Sequence, residues 1–325
     1  MKKTPFSTSN LEPLVALFLF LLVSCGNPKG TEQTALPTDK PFMVVLGIAQ
    51  DAGYPQAGQQ KEWELIRSRK AGIQHAVALG LVDPVSQQRW LFEATPDFNI
   101  QLSKMDQFSS TESYPYDGIF MTHGHIGHYT GLMHLGREAM GASNVPVYAM
   151  PGMKRFLSTN GPWSQLVALN NIRLKDISNG MPTQLNERIY VTPLQVPHRD
   201  EFTETVGFLV DVEGKQLLFI PDIDKWEKWD QNIIEMIKKV DYALLDGSFF
   251  KNGEIPGRDM SEIPHPFVEE SMQLFESLSE ADKAKVHFIH FNHTNPIIFK
   301  NSQEYKEVIE RGFKVAHDGQ LITFE

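Results

Sequence analysis

From Pro41 onward, short apolar runs bounded by turn residues recur at Phe42–Ile48, Ala76–Val82, Trp90–Phe92, Gly118–Met121, Val147–Ala149, Arg188–Val191, Val206–Val212, Gln216–Ile220, Tyr242–Leu245 and Val286–Ile289. Their length and composition predict strands. Helical spacing of apolar residues falls between them at Thr130–Met140, Met153–Leu157, Lys225–Lys238, Pro266–Leu278 and Ser302–Glu310. Strands and helices interleaved over the whole length predict one α/β unit spanning 41–325. No linker, composition shift, internal repeat or low-complexity segment divides it.

The chain ahead of that unit follows a different pattern. Lys2 and Lys3 precede an apolar stretch, Leu14 to Val23, that is short for a permanent membrane span. It ends in Leu22-Val23-Ser24-Cys25-Gly26, which resembles the lipobox of bacterial lipoproteins. Residues 1–25 are therefore expected to be a signal peptide with Cys25 as the lipidated residue. Residues 26–40, rich in Gly, Pro, Thr and charge, are expected to be a flexible tether. The expected location is exported and lipid-anchored, on the periplasmic side of a bacterial membrane or at the cell surface. Cys25 is the only cysteine, so the rest of the chain has no disulfide, no zinc–cysteine cluster and no cysteine nucleophile.

Composition narrows the partner class. A chain of 325 residues with 41% hydrophobic and 22% charged residues is globular rather than disordered. With a formal charge of −10 and no basic cluster longer than Arg67-Ser-Arg69-Lys70, no nucleic-acid partner is expected. A small-molecule substrate is, since an active site can carry its own positive charge as metal ions.

The chemistry concentrates in Gly118-Ile-Phe-Met-Thr122-His123-Gly-His125-Ile-Gly127-His128. An apolar strand runs into three histidines, and a helical pattern follows. His123 and His125, two apart on extended chain, point the same way, and His128 lies about one helical turn further on. A catalytic zinc needs about three imidazole or carboxylate ligands and an open position. This run resembles the His-x-His-x-Asp-His signature of the metallo-β-lactamase superfamily, and the resemblance implies a four-layer αββα sandwich. It also implies His198, after Leu194-Gln-Val-Pro, as the third histidine of a site with His123 and His125. Asp222, after Leu217-Leu-Phe-Ile-Pro, matches the carboxylate that bridges two metals and is the catalytic candidate, with Asp224 as its neighbour and competitor. In Val286-His-Phe-Ile-His290-Phe-Asn-His293, a final histidine ligand is expected, His290 ahead of His293, with His287 facing the other side of the strand.

One position departs from the signature. Gly127 stands where the family has the aspartate that binds the second metal, so either that site is weak or another group takes the place. The expected cofactor is therefore Zn²⁺, one or two ions, with Mn or Fe as alternatives.

The motifs Val45-Leu-Gly-Ile-Ala-Gln-Asp51-Ala-Gly-Tyr54-Pro-Gln56, Glu93-Ala-Thr-Pro-Asp97 and His293-Thr-Asn-Pro-Ile-Ile298 resemble the pyrroloquinoline-quinone biosynthesis protein B branch of that superfamily. The branch's cysteines after Pro-Gln are absent, with Gln59 and Gln60 in that region. Asp51 and Tyr54 are expected on a loop near the mouth of the site, and Asp246 as an acidic residue orienting a ligand histidine. His265, between two prolines, could reach the pocket or cap a helix; His75, His134 and His317 are expected to be ordinary. The resemblance implies a hydrolase of an ester, lactone, amide or phosphodiester bond. The alternatives are a metal- or ligand-binding lipoprotein with reduced catalysis, and an iron-dependent redox enzyme of the same fold. No Walker loop, Gly-x-Gly-x-x-Gly or Gly-x-Ser-x-Gly motif is present.

Overall fold

The computed structural model describes residues 37, 39–108 and 116–325. The expected leader, Cys25 and most of the expected tether lie outside the described residues. In β1, Phe42–Gly47, every residue is buried. Met43 and Val45 enter one hydrophobic cluster, while Phe42, Val44 and Leu46 enter another. Alternate residues of a strand face opposite sides, so a strand with no polar position must be covered on both. Burial on both faces also holds for β2 (Ala78–Asp83), for β3 (Gln88–Phe92) from Arg89 onward, and for β4 (Gly118–Phe120). With β5 (Val145–Ala149) and β6 (Ile172–Asp176) they form most of the first sheet.

A second sheet contains β7 (Thr183–Gln184), β8 (Ile189–Val196), β9 (Thr205–Val212), β10 (Lys215–Ile220), β11 (Tyr242–Asp246), β12 (Val286–Ile289) and β13 (Lys314–Val315). The chain then returns to the edge of the first sheet as β14, Leu321–Thr323. The two seven-stranded sheets have the orders β14-β1-β2-β3-β4-β5-β6 and β13-β12-β11-β10-β9-β8-β7. Both are mixed, and with helices on their outer faces they make the expected four-layer metallo-β-lactamase sandwich. Its middle is aromatic. The Phe208 ring meets Phe92 and Phe120 edge-on at 5.4 and 5.5 Å, and Phe92 and Phe120 stack at 5.0 Å.

Strand direction positions the site. β1 is antiparallel to β2, β2 is antiparallel to β3, and β3 and β4 are parallel, so β1, β3 and β4 run the same way. In the second sheet β8, β10, β11 and β12 share one direction by the same reasoning. A parallel bridge, Ala49 to Phe291, joins the chain just beyond β1 to the chain just beyond β12. The carboxyl ends of all these strands therefore open at one end of the sandwich, where ligand sites of α/β sheets are built.

Each expected strand forms, but helix limits differ. Thr130–Met140 is a short helix at Ile126–Tyr129 followed by a 3₁₀ segment, Thr130–Leu135. Lys225–Lys238 is split. The Trp226 and Trp229 indoles donate to Ser271 Oγ, on the helix Val268–Leu274, and to the Gln195 carbonyl on β8, both at 2.8 Å, which pins the first half between helix and sheet. The helix proper begins at Ile233 under an Asn232 cap. Likewise Pro266–Leu278 becomes the helix Val268–Leu274 and a 3₁₀ turn, Phe275–Ser277.

His287, on β12 opposite Lys314, accepts a 3.1 Å hydrogen bond at Nδ1 from the Gln320 amide. Burial, then the charges of Lys314 and His317, push its pKa down to about 4. The unfolded chain takes up that proton near pH ~6.5 and the folded chain only near 4, so this residue costs stability as pH falls between those values. In His287→Gln, the loss of unfolding free energy between pH 7 and pH 4.5 is expected to shrink by roughly 2–3 kcal/mol, read by denaturant titration at the two pH values.

A buried histidine and aspartate centre

Seven strand ends deliver the groups. β4 runs out into His123, His125 and His128; β8 into His198; β10 into Asp222; β12 into His290. Asp246 closes β11, Glu93 follows β3, and Asp51 lies on the loop after β1. One donor atom from each of His123, His125, His198 and Asp222 falls within 4.8 Å of the others. His123 Nε2 and His125 Nδ1 are 2.8 Å apart, and His198 Nε2 is 3.2 Å from Asp222 Oδ1. On its other oxygen Asp222 lies 3.4 Å from His123, 3.8 Å from His128 and 4.0 Å from His290. A second group, Asp51, His128 and His290, converges equally closely, as does a third, Asp222, Asp246 and His265.

Each ring turned to the centre has its other nitrogen against an outer partner. Thr122 Oγ1 is 2.9 Å from His123 Nδ1, Glu201 is 3.0 Å from His125 Nε2, and Asp224 is 3.4 Å from His198 Nδ1. Glu93 is 3.4 Å from His128 Nδ1. The Ser248 hydroxyl donates to Asp246 at 2.7 Å, so the His290 Nδ1–H, 2.9 Å away, donates to Ser248 and leaves Nε2 as a lone pair aimed inward. This pairing of an inward nitrogen with an outer anchor is how metal-ligating histidines are oriented. Glu93 and His290 have φ of 82° and 70°, a left-handed backbone that costs side-chain-bearing residues about 1–3 kcal/mol each. Strain of that size is retained where surrounding structure fixes a functional geometry.

Electrostatics follow from burial. Burial, with His128 beside it, holds the His123 ring well below its usual pKa against the pull of Asp222. It also lowers His198 and brings His290 to about 4, so these rings are neutral, the form that binds metals. For His128 burial opposes the charge, but the Glu93 carboxylate carries it to about 9. Burial likewise opposes protonation of His265, yet Asp246 and Asp222, 2.8 and 3.2 Å from its Nδ1, carry it to about 9. Burial would raise Asp222, but His198, His265 and the other rings hold it well below the carboxylate range.

These donors fit a divalent cation. His198 Nε2, His128 Nε2, His290 Nε2 and Asp222 Oδ1 are all buried with no hydrogen-bond partner, and such orphans are costly unless something joins them. Three imidazoles with a carboxylate, and no sulfur, suit zinc and also manganese or iron.

The remaining residues divide between the centre and its surroundings. His293 Nδ1 is 2.7 Å from Glu62, and His293 belongs to none of the three groups. Tyr54, expected near the mouth, is buried instead: its backbone exchanges hydrogen bonds with Gln74, and its ring packs edge-on against Phe299 at 5.7 Å. Asp51 sits against His128 and His290. Asp246 accepts from Ile223, Ser248 and His265 and is fully buried. His75 faces Asp97, His134 stacks on Phe98, and His317 meets the Asp318 carbonyl. Glu93 and Ser248 were not anticipated as partners of His128 and His290; an acid closing the apolar run Trp90–Phe92 was the available signal for Glu93.

A family model described as "Beta-lactamase superfamily domain" matches residues 88–291. The "Coenzyme PQQ synthesis protein B" of Methylorubrum extorquens (strain PA1) is 25% identical over 303 residues, covering 85% of this chain and 98% of that protein. The crystal structure of Zn²⁺-bound PqqB from Methylobacterium extorquens superposes with a TM-score of 0.72 at 22% identity, covering 86% of this chain and 99% of that one. A diphosphatase from the PhnP family superposes with a TM-score of 0.60 at 20% identity, over 88% and 97%. These structural likenesses show a shared fold.

Proposed function

Because the chain belongs to the β-lactamase superfamily, we propose that it is a metal-dependent hydrolase of a small-molecule ester, lactone, amide or phosphodiester, with His123, His125, His198 and Asp222 holding the first ion. The observation that carries this reading is the convergence of those four donors, three of them buried, with His198 Nε2 and Asp222 Oδ1 lacking any hydrogen-bond partner. Support also comes from a structural neighbour that is a diphosphatase and another that is zinc-bound. A zinc-class ion held there would acidify water and polarise a carbonyl or phosphoryl oxygen of the substrate.

The chain's own groups set the geometry for that chemistry. Thr122 and Glu201 hydrogen-bond to His123 and His125 and hold their ring planes, while Asp224 lies 3.4 Å from the outer nitrogen of His198. Asp222 presents one oxygen toward His198 and the other toward His123, His128 and His290, the position of a shared carboxylate. His265 Nδ1 is hydrogen-bonded to Asp246 at 2.8 Å and lies 3.2 Å from Asp222, which sets a positive ring beside the Asp222 carboxylate. On the sequence pattern of the leader, the proposal further places the enzyme outside the cytoplasm, anchored through lipid on Cys25.

The test is turnover of bis(4-nitrophenyl) phosphate, 4-nitrophenyl acetate and a lactone and amide series by the zinc- or manganese-loaded full-length chain. Hydrolysis that a chelator abolishes and added metal restores is expected. A folded, metal-loaded chain that turns over none of them, or takes up oxygen instead when loaded with iron, overturns the reading. Cys25-dependent partition into a detergent phase tests the anchor, and partition unchanged in Cys25→Ala overturns it.

A further inference from the structure

The sequence lacks a carboxylate at 127, and the fold supplies one from elsewhere. A Cβ added to Gly127 would lie 1.8 Å from the Asp51 Cβ and 2.7 Å from its Cγ. The Asp51 side chain thus fills the volume that a side chain at 127 would need, and its carboxylate oxygen lies within 4.8 Å of donor nitrogens of His128 and His290. Resting on the metal-centre reading above, we infer that Asp51, delivered by the loop after β1, is the acidic ligand of a second divalent ion together with His128 and His290, beside the shared Asp222.

Two independent observations support the assignment. His128 and His290 are 1% and 0% exposed, and their Nε2 atoms have no partner, so the site is lined by orphaned donors and not merely by an acid near histidines. The loop is also fastened to the segment that bears His290. The Gln50 N–H donates to the Phe291 carbonyl at 2.8 Å, the Phe291 N–H to the Ile48 carbonyl at 2.8 Å, and the Asn292 amide to the Gln50 side chain at 2.6 Å. The loop that bears Asp51 is therefore tied directly to the segment that bears His290. On the other side Gly127 is buried in the helix Ile126–Tyr129 that carries His128. Glycine at 127 and aspartate at 51 are complementary halves of one arrangement, since a side chain at either position excludes the other.

Transplantation tests this. The metal-stripped full-length chain is titrated with zinc against a chromophoric chelator, and metal per chain is counted by elemental analysis, for wild type, Asp51→Asn, Gly127→Asp and the double variant Asp51→Gly/Gly127→Asp. Wild type is expected to bind two ions. Asp51→Asn is expected to keep the first and lose affinity at the second by more than the ~10–100-fold that loss of an outer partner costs. Gly127→Asp, in which two side chains compete for one volume, is expected to lose the second site, and the double variant to recover it. Thermal melts of the stripped variants report whether each is folded. Two ions of unchanged affinity in folded Asp51→Asn, or a wild type that takes up one ion and is indifferent to Asp51→Asn, overturns the inference and leaves the hydrolase proposal standing. A wild type that binds none overturns both.

Discussion

Asp222→Asn is expected to lower metal-dependent turnover by about 10³-fold, equivalent to roughly 4 kcal/mol of lost barrier lowering. The carboxamide keeps the shape of the side chain and removes its charge. Among the described residues, Asp222 is the one carboxylate within 4.0 Å of all of His123, His128, His198, His265 and His290. No other acid can take its place from the same position: Asp224 faces the outer nitrogen of His198, and Asp246 is committed to Ser248, Ile223 and His265. The variant is expected to fold, because the apolar contacts of β10 do not involve this side chain. Its thermal midpoint is expected to gain less from added zinc than that of the wild type. A wild type at about 100 times the dissociation constant gains about 2.7 kcal/mol. Steady-state kinetics and zinc-dependent melts check both parts, and turnover within tenfold of wild type contradicts the role.

Phe208→Ala is expected to cost about 3–5 kcal/mol of stability while leaving the centre's metal stoichiometry unchanged. Phe208 is fully buried on β9 and crosses the gap between the sheets to meet Phe92 and Phe120. Truncation leaves a cavity that two stacked aromatic rings cannot collapse to fill. The residue touches no donor of the centre, so the folded fraction should still bind metal. Denaturant unfolding with metal counting checks this, and a loss below 1 kcal/mol contradicts the account of the interior.

What the sequence made legible divides along physical lines. Apolar runs such as Phe42–Ile48, buried on both faces, and Val206–Val212, mostly buried, showed their strands because burial selects against polar positions. β6, Ile-Arg-Leu-Lys-Asp, and the two-residue β7 and β13 did not, since edge strands carry polar side chains and owe their form to a neighbour's hydrogen bonds. The helix Gln60–Arg67 was not expected, and it buries no residue. Lys225–Lys238 read as one helix because periodicity registers Trp226 and Trp229 as apolar and is blind to where their indole N–H groups bond.

The centre divides in the same way. His123, His125 and His128 were legible because three donors at fixed spacing follow a strand, and His198, Asp222 and His290 because each closes an apolar run. Asp51 was read as a rim residue. Its relation to Gly127 is a contact between segments far apart in sequence, and only packing in three dimensions reveals that one side chain occupies the space the other leaves. His265 was ambiguous for a similar reason: its partners, Asp222 and Asp246, end strands elsewhere in the chain.

The most direct test of the account is X-ray absorption at the zinc edge of the zinc-loaded full-length chain. A nitrogen and oxygen shell at about 2.0–2.1 Å with strong outer scattering from imidazole rings is predicted, weakened when His123 and His198 are both replaced by glutamine. A sulfur shell, or an oxygen shell without imidazole scattering in the wild type, would contradict it.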